Sequence, residues 1–291
     1  MIGVIPARWG STRFPGKSLH PILGKPLVCR VVEAVRRARR LDDVIVATDD
    51  ERIAAAVRPG GVRVAMTSPN HPSGTDRVAE AARAGADDVV INIQGDEPLI
   101  PPELIDTLAE KMAAEPRWEM ATAACPIHDP GELAAPSVVK VVLDRDDAAL
   151  YFSRLPIPFR RDGPPDLTSG LYWRHLGIYA YRGGFLNRLV REPPCALERT
   201  EMLEQLRALH LGARIAVIRT GPLGVGVDTP ADVGALEAEL RARGVSVAGT
   251  DYGSAVTYTL AVEPGGGGEL ESTLAALTSG AVEPSEAGTS W

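Results

Sequence analysis

The first 119 residues alternate four times between a strand-like apolar run and a helix-like amphipathic one. "MIGVIP" is apolar. "KPLVCRVVEAVRRARR" then places Leu27, Val28, Val31, Val32 and Val35 at helical spacing, with Pro26 suited to the first turn. "DVIVATDD", "VRVAM" and "VVINIQGDEP" read as strands, each followed by a helical run: "ERIAAAV", "GTDRVAEAARAGA" and "PPELIDTLAEKMAAE". Strands apolar on both faces must be covered on both faces. The pattern therefore predicts an α/β fold, with a mostly parallel sheet and helices on each side.

After Glu119 the rhythm changes. "EMATAACPI", "SVVKVVLD" and "LGIYAY" read as strands with no helix between them, and the proline-rich "ALYFSRLPIPFRRDGPPD" joins two of them. This predicts a smaller antiparallel excursion over about residues 120–185. "LERTEMLEQLRALHLG" returns to helix, "ARIAVIRTG" to strand, and "TPADVGALEAELRARG" opens with a good helix start. Beyond Gly244 the composition shifts. "PGGGGE" reads as a linker, "SGAVEPSEAGTSW" as a polar tail, and "SAVTYTLAVE" as one extra strand. The expected organisation is one domain over 1–244 and a largely flexible extension over 245–291.

A chain of 291 residues with 45% hydrophobic content is long enough for a large α/β core. The formal net charge of -7 argues against a nucleic-acid partner. Cys29, Cys125 and Cys195 are far apart and form no C-x-x-C, so neither a disulfide framework nor a zinc site is expected, and a reducing cytoplasm fits. No apolar run has the length of a membrane span, and "MIGVIPAR" lacks the basic start of a signal peptide.

The first strand runs into "ARWGSTRFPGKSL". This is close to a P-loop, but five residues, Ser11 to Pro15, separate Gly10 from Gly16 where that motif has four. The insertion displaces the lysine of so tight a nest, and Pro15 removes an N–H. A purine-nucleotide switch is thus the weaker reading. A glycine-rich loop at the carboxyl edge of a parallel sheet still suits phosphates, helped by the N-terminus of a following helix. Arg8, Arg13 and Lys17 add three positive charges. On the same edge "NIQGDEP" ends a strand with Asp96 and Glu97, and "GVGVDTPAD" sets Asp228 before a helix. Alone, each acid is a turn or cap residue. Two acids facing a basic glycine loop suit Mg2+, which bridges carboxylate to phosphate.

Seven blocks in order, "IPARWGSTRFPGKSL", "HPSGTDRVAEA", "NIQGDEPLIPPELI", "VVKVVLD…ALYFSRLPIP", "RHLGIYAYR", "LERTEMLEQLR" and "GVDTPADV", resemble the 3-deoxy-manno-octulosonate cytidylyltransferase family over residues 2 to 244. Asp76 and Trp9 stand where that family often has glutamate and tyrosine. The resemblance implies a Rossmann-like nucleotidyltransferase fold, a cytoplasmic homodimer, and the transfer of CMP from CTP to 3-deoxy-manno-octulosonate (Kdo) with release of pyrophosphate. It assigns the triphosphate to Arg8, Ser11, Arg13 and Lys17, with Lys17 and Arg8 stabilising charge. Pro6, Ala7, Ser73, Gln94 and Gly95 would line the cytidine site, and Asp96 and Asp228 would ligate Mg2+.

For the sugar, strand alternation puts His175, Gly177, Tyr179 and Tyr181 on one face, and Leu176, Ile178 and Ala180 on the other. His175 and Tyr179 are candidates for binding sugar hydroxyls. Glu201 and Gln205 are four apart, as on one helical face. Arg77 and Arg154 are candidates for the sugar carboxylate, and each reads equally as a salt-bridged structural arginine. Two alternatives stay open: a cytidylyltransferase for another ulosonic acid or a phosphonate, and a non-catalytic nucleotide-binding regulator.

Overall fold

The apolar N-terminal run forms β1 (Ile2–Ala7), which pairs in parallel with a strand on either side. The computed structural model describes residues 1–10 and 13–245, and the backbone of 250–252 and 256–258. These residues fall into two units, 1–239 and 240–291.

In the first unit β1 is followed by a two-residue ladder of β2 (Pro21–Ile22) and β3 (Lys25–Pro26), then α1 (Leu27–Val35). The next repeats are β4 (Asp43–Thr48) with α2 (Glu51–Val57), β5 (Arg63–Met66) with α3 (Gly74–Ala82), and β6 (Val89–Asn92) with α4 (Pro102–Ala114). The later part comprises β7 (Met120–Pro126), α5 (Pro130–Ala134), β8 (Lys140–Leu143), β9 (Ala149–Ser153) and β10 (Trp173–Arg182). It continues with α6 (Gly183–Leu189), α7 (Ala196–Glu201), α8 (Gln205–His210), β11 (Ile215–Arg219) and α9 (Asp232–Ala242), whose final residues belong to the second unit. The main sheet has the order β11-β7-β10-β6-β1-β4-β5. Only β10 runs antiparallel in that path, against both β6 and β7.

Both faces are covered, as the apolar strands require. On one face Val28, Val31, Ile105 and Leu108 of α1 and α4 pack with Ile5, Val46 and Ile91. On the other, Val78, Leu186 and Leu206 of α3, α6 and α8 pack with Val4, Ile45 and Val90. The alternation of residues along β1, β4 and β6 thus divides between two cores.

The excursion positions the site. β10 outlasts β6. Its C-terminal part pairs with β6, from Tyr179↔Asn92 to Arg182↔Val89, while its start pairs with β8 at Trp173↔Val141 and Arg174↔Lys140. A gap therefore opens over the middle of β10, at the carboxyl edge of the parallel strands. Part of the segment read from sequence as a connection is itself a strand, β9, which completes a hairpin with β8.

Two helices differ from the sequence reading. α1 stops at Val35 and Pro26 is its N-cap rather than a first-turn residue. The run "LERTEMLEQLRALHLG" is two helices, because Met202 adopts left-handed backbone (φ 53°) between α7 and α8. In the second unit, β12 (Thr250–Tyr252) pairs antiparallel with β13 (Val256–Tyr258); β13 falls within the stretch read as an extra strand, and β12 precedes it. The "PGGGGE" and "SGAVEPSEAGTSW" segments lie outside the described residues.

Candidate active site

The loop after β1 turns back at Gly16, whose φ of 71° favours glycine. A side chain there would also strike the Trp9 ring, at 2.9 Å from an added Cβ. Trp9 also stacks with the Arg52 guanidinium, 3.5 Å from the ring centroid. Beyond Gly16 lies one 3-10 turn, Lys17–Leu19, and α1 does not begin until Leu27. The helix N-terminus expected to assist the loop is therefore not supplied there.

Lys17 is the centre of the cluster. Its Nζ is 2.6 Å from Asp96 Oδ2 and 3.8 Å from Asp228 Oδ1. Arg13 holds the same Asp228 with two bonds, 3.0 and 3.2 Å. Three separate segments supply these groups: the β1 loop, the end of β6 and the turn before α9. The turn is fastened by Val227 N–H donating to Asp96 O at 2.9 Å, and by Asp232, which accepts from the N–H groups of Asp228 and Thr229. Gly95 lets these backbones close, since a Cβ there would come 2.7 Å from Pro6 O. Lys17 is largely covered while Arg13 and Asp228 are exposed, so the cluster opens outward. Arg8 is exposed on the same loop, and its carbonyl accepts from Ser18 Oγ.

The carboxylates fit a hard cation. Asp96 and Asp228 already share one positive charge. Beside them, burial, with the neighbouring charges of Asp96 and Asp228, raises the Glu97 pKa to about 7. Its buried Oε2 has no hydrogen-bond partner among the described residues. An excess of acceptor oxygens on one rim is what Mg2+ requires. Among the described residues no group of three or more His, Cys, Asp and Glu is arranged as a self-sufficient metal site, so phosphate oxygens and water would complete the coordination.

Next to this rim is a cleft of about 530 Å³, which includes Arg13 and Asp228 among its walls. Its floor is the face of β10 carrying His175, Gly177, Tyr179 and Tyr181, and Gln94 also lines it. A bulge separates the pairs Leu176↔Ala123 and Tyr179↔Thr122. It inserts two residues, Gly177 and Ile178, and an even insertion keeps the faces in step. Leu176, Ile178 and Ala180 go to the core as expected.

Thr122 Oγ serves the bulge, donating its single proton to backbone carbonyl at 2.7 Å from Ile178 O and 3.2 Å from Leu176 O. His175 Nε2, 3.0 Å from the same Oγ, must then be the donor to it, which leaves Nδ1 as an acceptor. Burial lowers the His175 pKa to about 3, so the ring is neutral. Burial raises the Tyr179 and Tyr181 hydroxyls, which stay protonated.

The remaining expected residues divide. Gln205 is buried in the cleft wall, 3.5 Å from the Tyr179 hydroxyl. Glu201 does not share its helical face, because the chain breaks at Met202. Its carboxylate instead accepts from Ser153 Oγ at 2.7 Å and from Arg154 N–H at 2.9 Å. Arg154 lines the cleft, with its guanidinium anchored on the carbonyls of Glu201, Pro136 and Met202. Arg77, on the buried face of α3, is 4% exposed and paired with Asp49 at 3.0 Å, away from the cleft lining. This is the salt-bridged arrangement. Ser73 caps α3, accepting from Thr75 and Asp76 N–H, while Gly74 beside it faces the cleft and Pro6. Ala7 is buried at the end of β1, and Ser11 lies outside the described residues.

Asn92, Arg174 and Glu204 are among the cleft residues that the sequence reading did not single out. Asn92 did have a signal, as a polar residue inside the apolar run "VVINI". Glu204, which accepts from Thr75 Oγ1 at 2.6 Å, faces the cleft only because of the helix break.

The fold and the loop-and-carboxylate rim define a nucleotidyltransferase, and the cytidylyltransferase family model matches residues 2–215. The chain belongs to the cytidylyltransferase family. It is similar to 3-deoxy-manno-octulosonate cytidylyltransferases: 51% identical to that of Geobacter sulfurreducens over 238 residues (79% of this chain, 95% of the relative). It is 49% identical to that of Bdellovibrio bacteriovorus over 247 residues, covering 84% and 99% of the two chains. Among solved structures, CMP:2-keto-3-deoxy-manno-octonic acid synthetase complexed with CTP superposes with a TM-score of 0.78 at 41% identity, covering 84% of this chain and 99% of that one. A 4-diphosphocytidyl-2C-methyl-D-erythritol synthase, TM-score 0.55 at 16% identity, shares the fold. Residues 229–281 match a second family model, a domain of unknown function (DUF1949).

Proposed function

We propose that this enzyme transfers CMP from CTP to the anomeric hydroxyl of Kdo, giving CMP-Kdo and pyrophosphate. The observation that carries the reading is the convergence of Lys17, Asp96 and Asp228 on one point beside a polar cleft, in a chain about half identical to enzymes named for this reaction.

The acceptor oxygen forms a bond to the α-phosphorus. The bond from that phosphorus to the bridging oxygen breaks, and pyrophosphate departs. The hydroxyl proton leaves to water through the open cleft. Such a transfer needs alignment and charge stabilisation rather than a covalent enzyme intermediate. Lys17, Arg13 and Arg8 supply positive charge to the triphosphate. Lys17, held by carboxylates before nucleotide arrives, exchanges them for phosphate oxygens. Asp96 and Asp228 are the residues that would hold Mg2+. When bound, the cation supplies Lewis-acid stabilisation of phosphate charge and lowers the pKa of the attacking hydroxyl. Neutral His175, protonated Tyr179 and Gln205 offer hydrogen bonds to the sugar, and Arg154 and Arg174 offer charge to its carboxylate.

The same reading makes the enzyme a cytoplasmic homodimer. Three free cysteines support the first point. Exposed Leu155, Phe159 and Met202 around the excursion support the second.

Turnover with CTP, UTP, ATP and GTP, each with Kdo and Mg2+, tests the nucleotide half of the reading. CTP alone should give a sugar-nucleotide of the mass of CMP-Kdo. Efficient purine turnover, or triphosphate cleavage without the sugar, would sink it.

A further inference from the structure

Lys140, the first residue of β8, is fully buried, and it belongs neither to the phosphate rim nor to the residues that line the cleft. A buried ammonium is retained only where its hydrogen bonds are met. This one meets them with three backbone carbonyls: Ala135 O at 3.0 Å, Val138 O at 2.8 Å, and Arg154 O. An ammonium has three donors, so none remains for a substrate.

The three carbonyls come from two segments that form one wall of the cleft. Ser137, Val138 and Val139 line it from the turn before β8, and Arg154 lines it from the end of β9. The network closes on itself. The Arg154 guanidinium donates to Pro136 O in the same turn, and the Arg154 N–H donates to Glu201, whose charge partly offsets the burial of Lys140. No hydrogen bond of Lys140 reaches Lys17, Asp96 or Asp228.

We propose that Lys140 is a positioning residue for the acceptor: by clamping the 135–138 turn to Arg154, it sets the shape of the sugar wall without touching the sugar. The inference rests on the acceptor reading above. It explains a charge on a strand whose register alone would accept an apolar residue.

Lys140→Met keeps the length of the side chain and removes all three donors. The expected result is a KM for Kdo raised about tenfold, as for a wall displaced by a fraction of an ångström, with the KM for CTP within about twofold of the parent. Both constants unchanged, or both raised alike, would overturn the proposal. If the methionine variant does not fold, Lys140→Gln, which keeps an amide donor, is measured instead, with the same directions deciding. Amide hydrogen exchange gives a readout free of substrate. Faster exchange confined to 135–143 and 153–155, with 2–7 unchanged, supports the clamp, and uniform or unchanged exchange overturns it. Failure of the parent to use Kdo would count against the functional reading, while the exchange pattern would still decide the clamp.

Discussion

The ammonium of Lys17 lies 2.6 Å from the carboxylate of Asp96, joining the loop after β1 to the end of β6. In the proposed reaction the pair would hold a cation where the α-phosphate sheds its leaving group. Lys17→Met should lower kcat by about 10²–10³-fold, the usual cost of removing a charge-stabilising donor, with a smaller change in the KM for CTP. Steady-state pyrophosphate release checks it. A kcat within about threefold of the parent would remove Lys17 from the chemistry.

Asp228 is held by Arg13, but both side chains are more than half exposed, so the pair contributes little to stability. Asp228→Asn should change the unfolding free energy by less than about 1 kcal/mol. The Mg2+ concentration needed for half-maximal rate should rise by more than about tenfold. A Mg2+ titration of the variant reads this directly, and an unchanged titration curve would exclude Asp228 as a ligand.

His175 predicts a stability slope with pH. Its folded pKa, about 3, lies below the ordinary 6.5. Between those values the unfolded chain binds a proton that the folded chain refuses, so stability is complete above 6.5 and falls as pH drops. From pH 7 to pH 5 the loss from this one group is about 2 kcal/mol. Denaturant unfolding of the parent and of His175→Gln at both pH values should show the smaller loss in the variant. Equal slopes would contradict a buried neutral ring.

Arg77 separates fold from site. Its charge is buried against Asp49, so Arg77→Met should cost about 3 kcal/mol by stranding that carboxylate. The KM for Kdo should stay near that of the parent. A stable variant with a raised sugar KM would return Arg77 to the binding site.

Much of this was legible in the sequence, because period and burial are local signals. The four βα repeats, the antiparallel turn of the chain after Glu119 and the shared face of His175 and Tyr179 all follow from alternation. The rim was legible because Lys17, Asp96 and Asp228 each sit in a loop that follows a strand and leads to a helix. What failed depended on backbone conformations that side-chain pattern does not encode. The left-handed Met202 breaks one helical run in two, so Glu201 and Gln205 turn to different partners while Glu204 joins the cleft. Arg77 and Arg154 match equally good sequence blocks. Only the tertiary packing pairs one with Asp49 and sets the other in the wall.

The most direct test of the central claim is pyrophosphate release from CTP and Mg2+ with Kdo, beside N-acetylneuraminic acid and a reaction without sugar. The structure predicts rapid release with Kdo alone, one pyrophosphate for each CMP-Kdo formed. Tight CTP binding with no release in the presence of Kdo would contradict it, and would mean that the cleft beside His175 and Gln205 accepts a different acid.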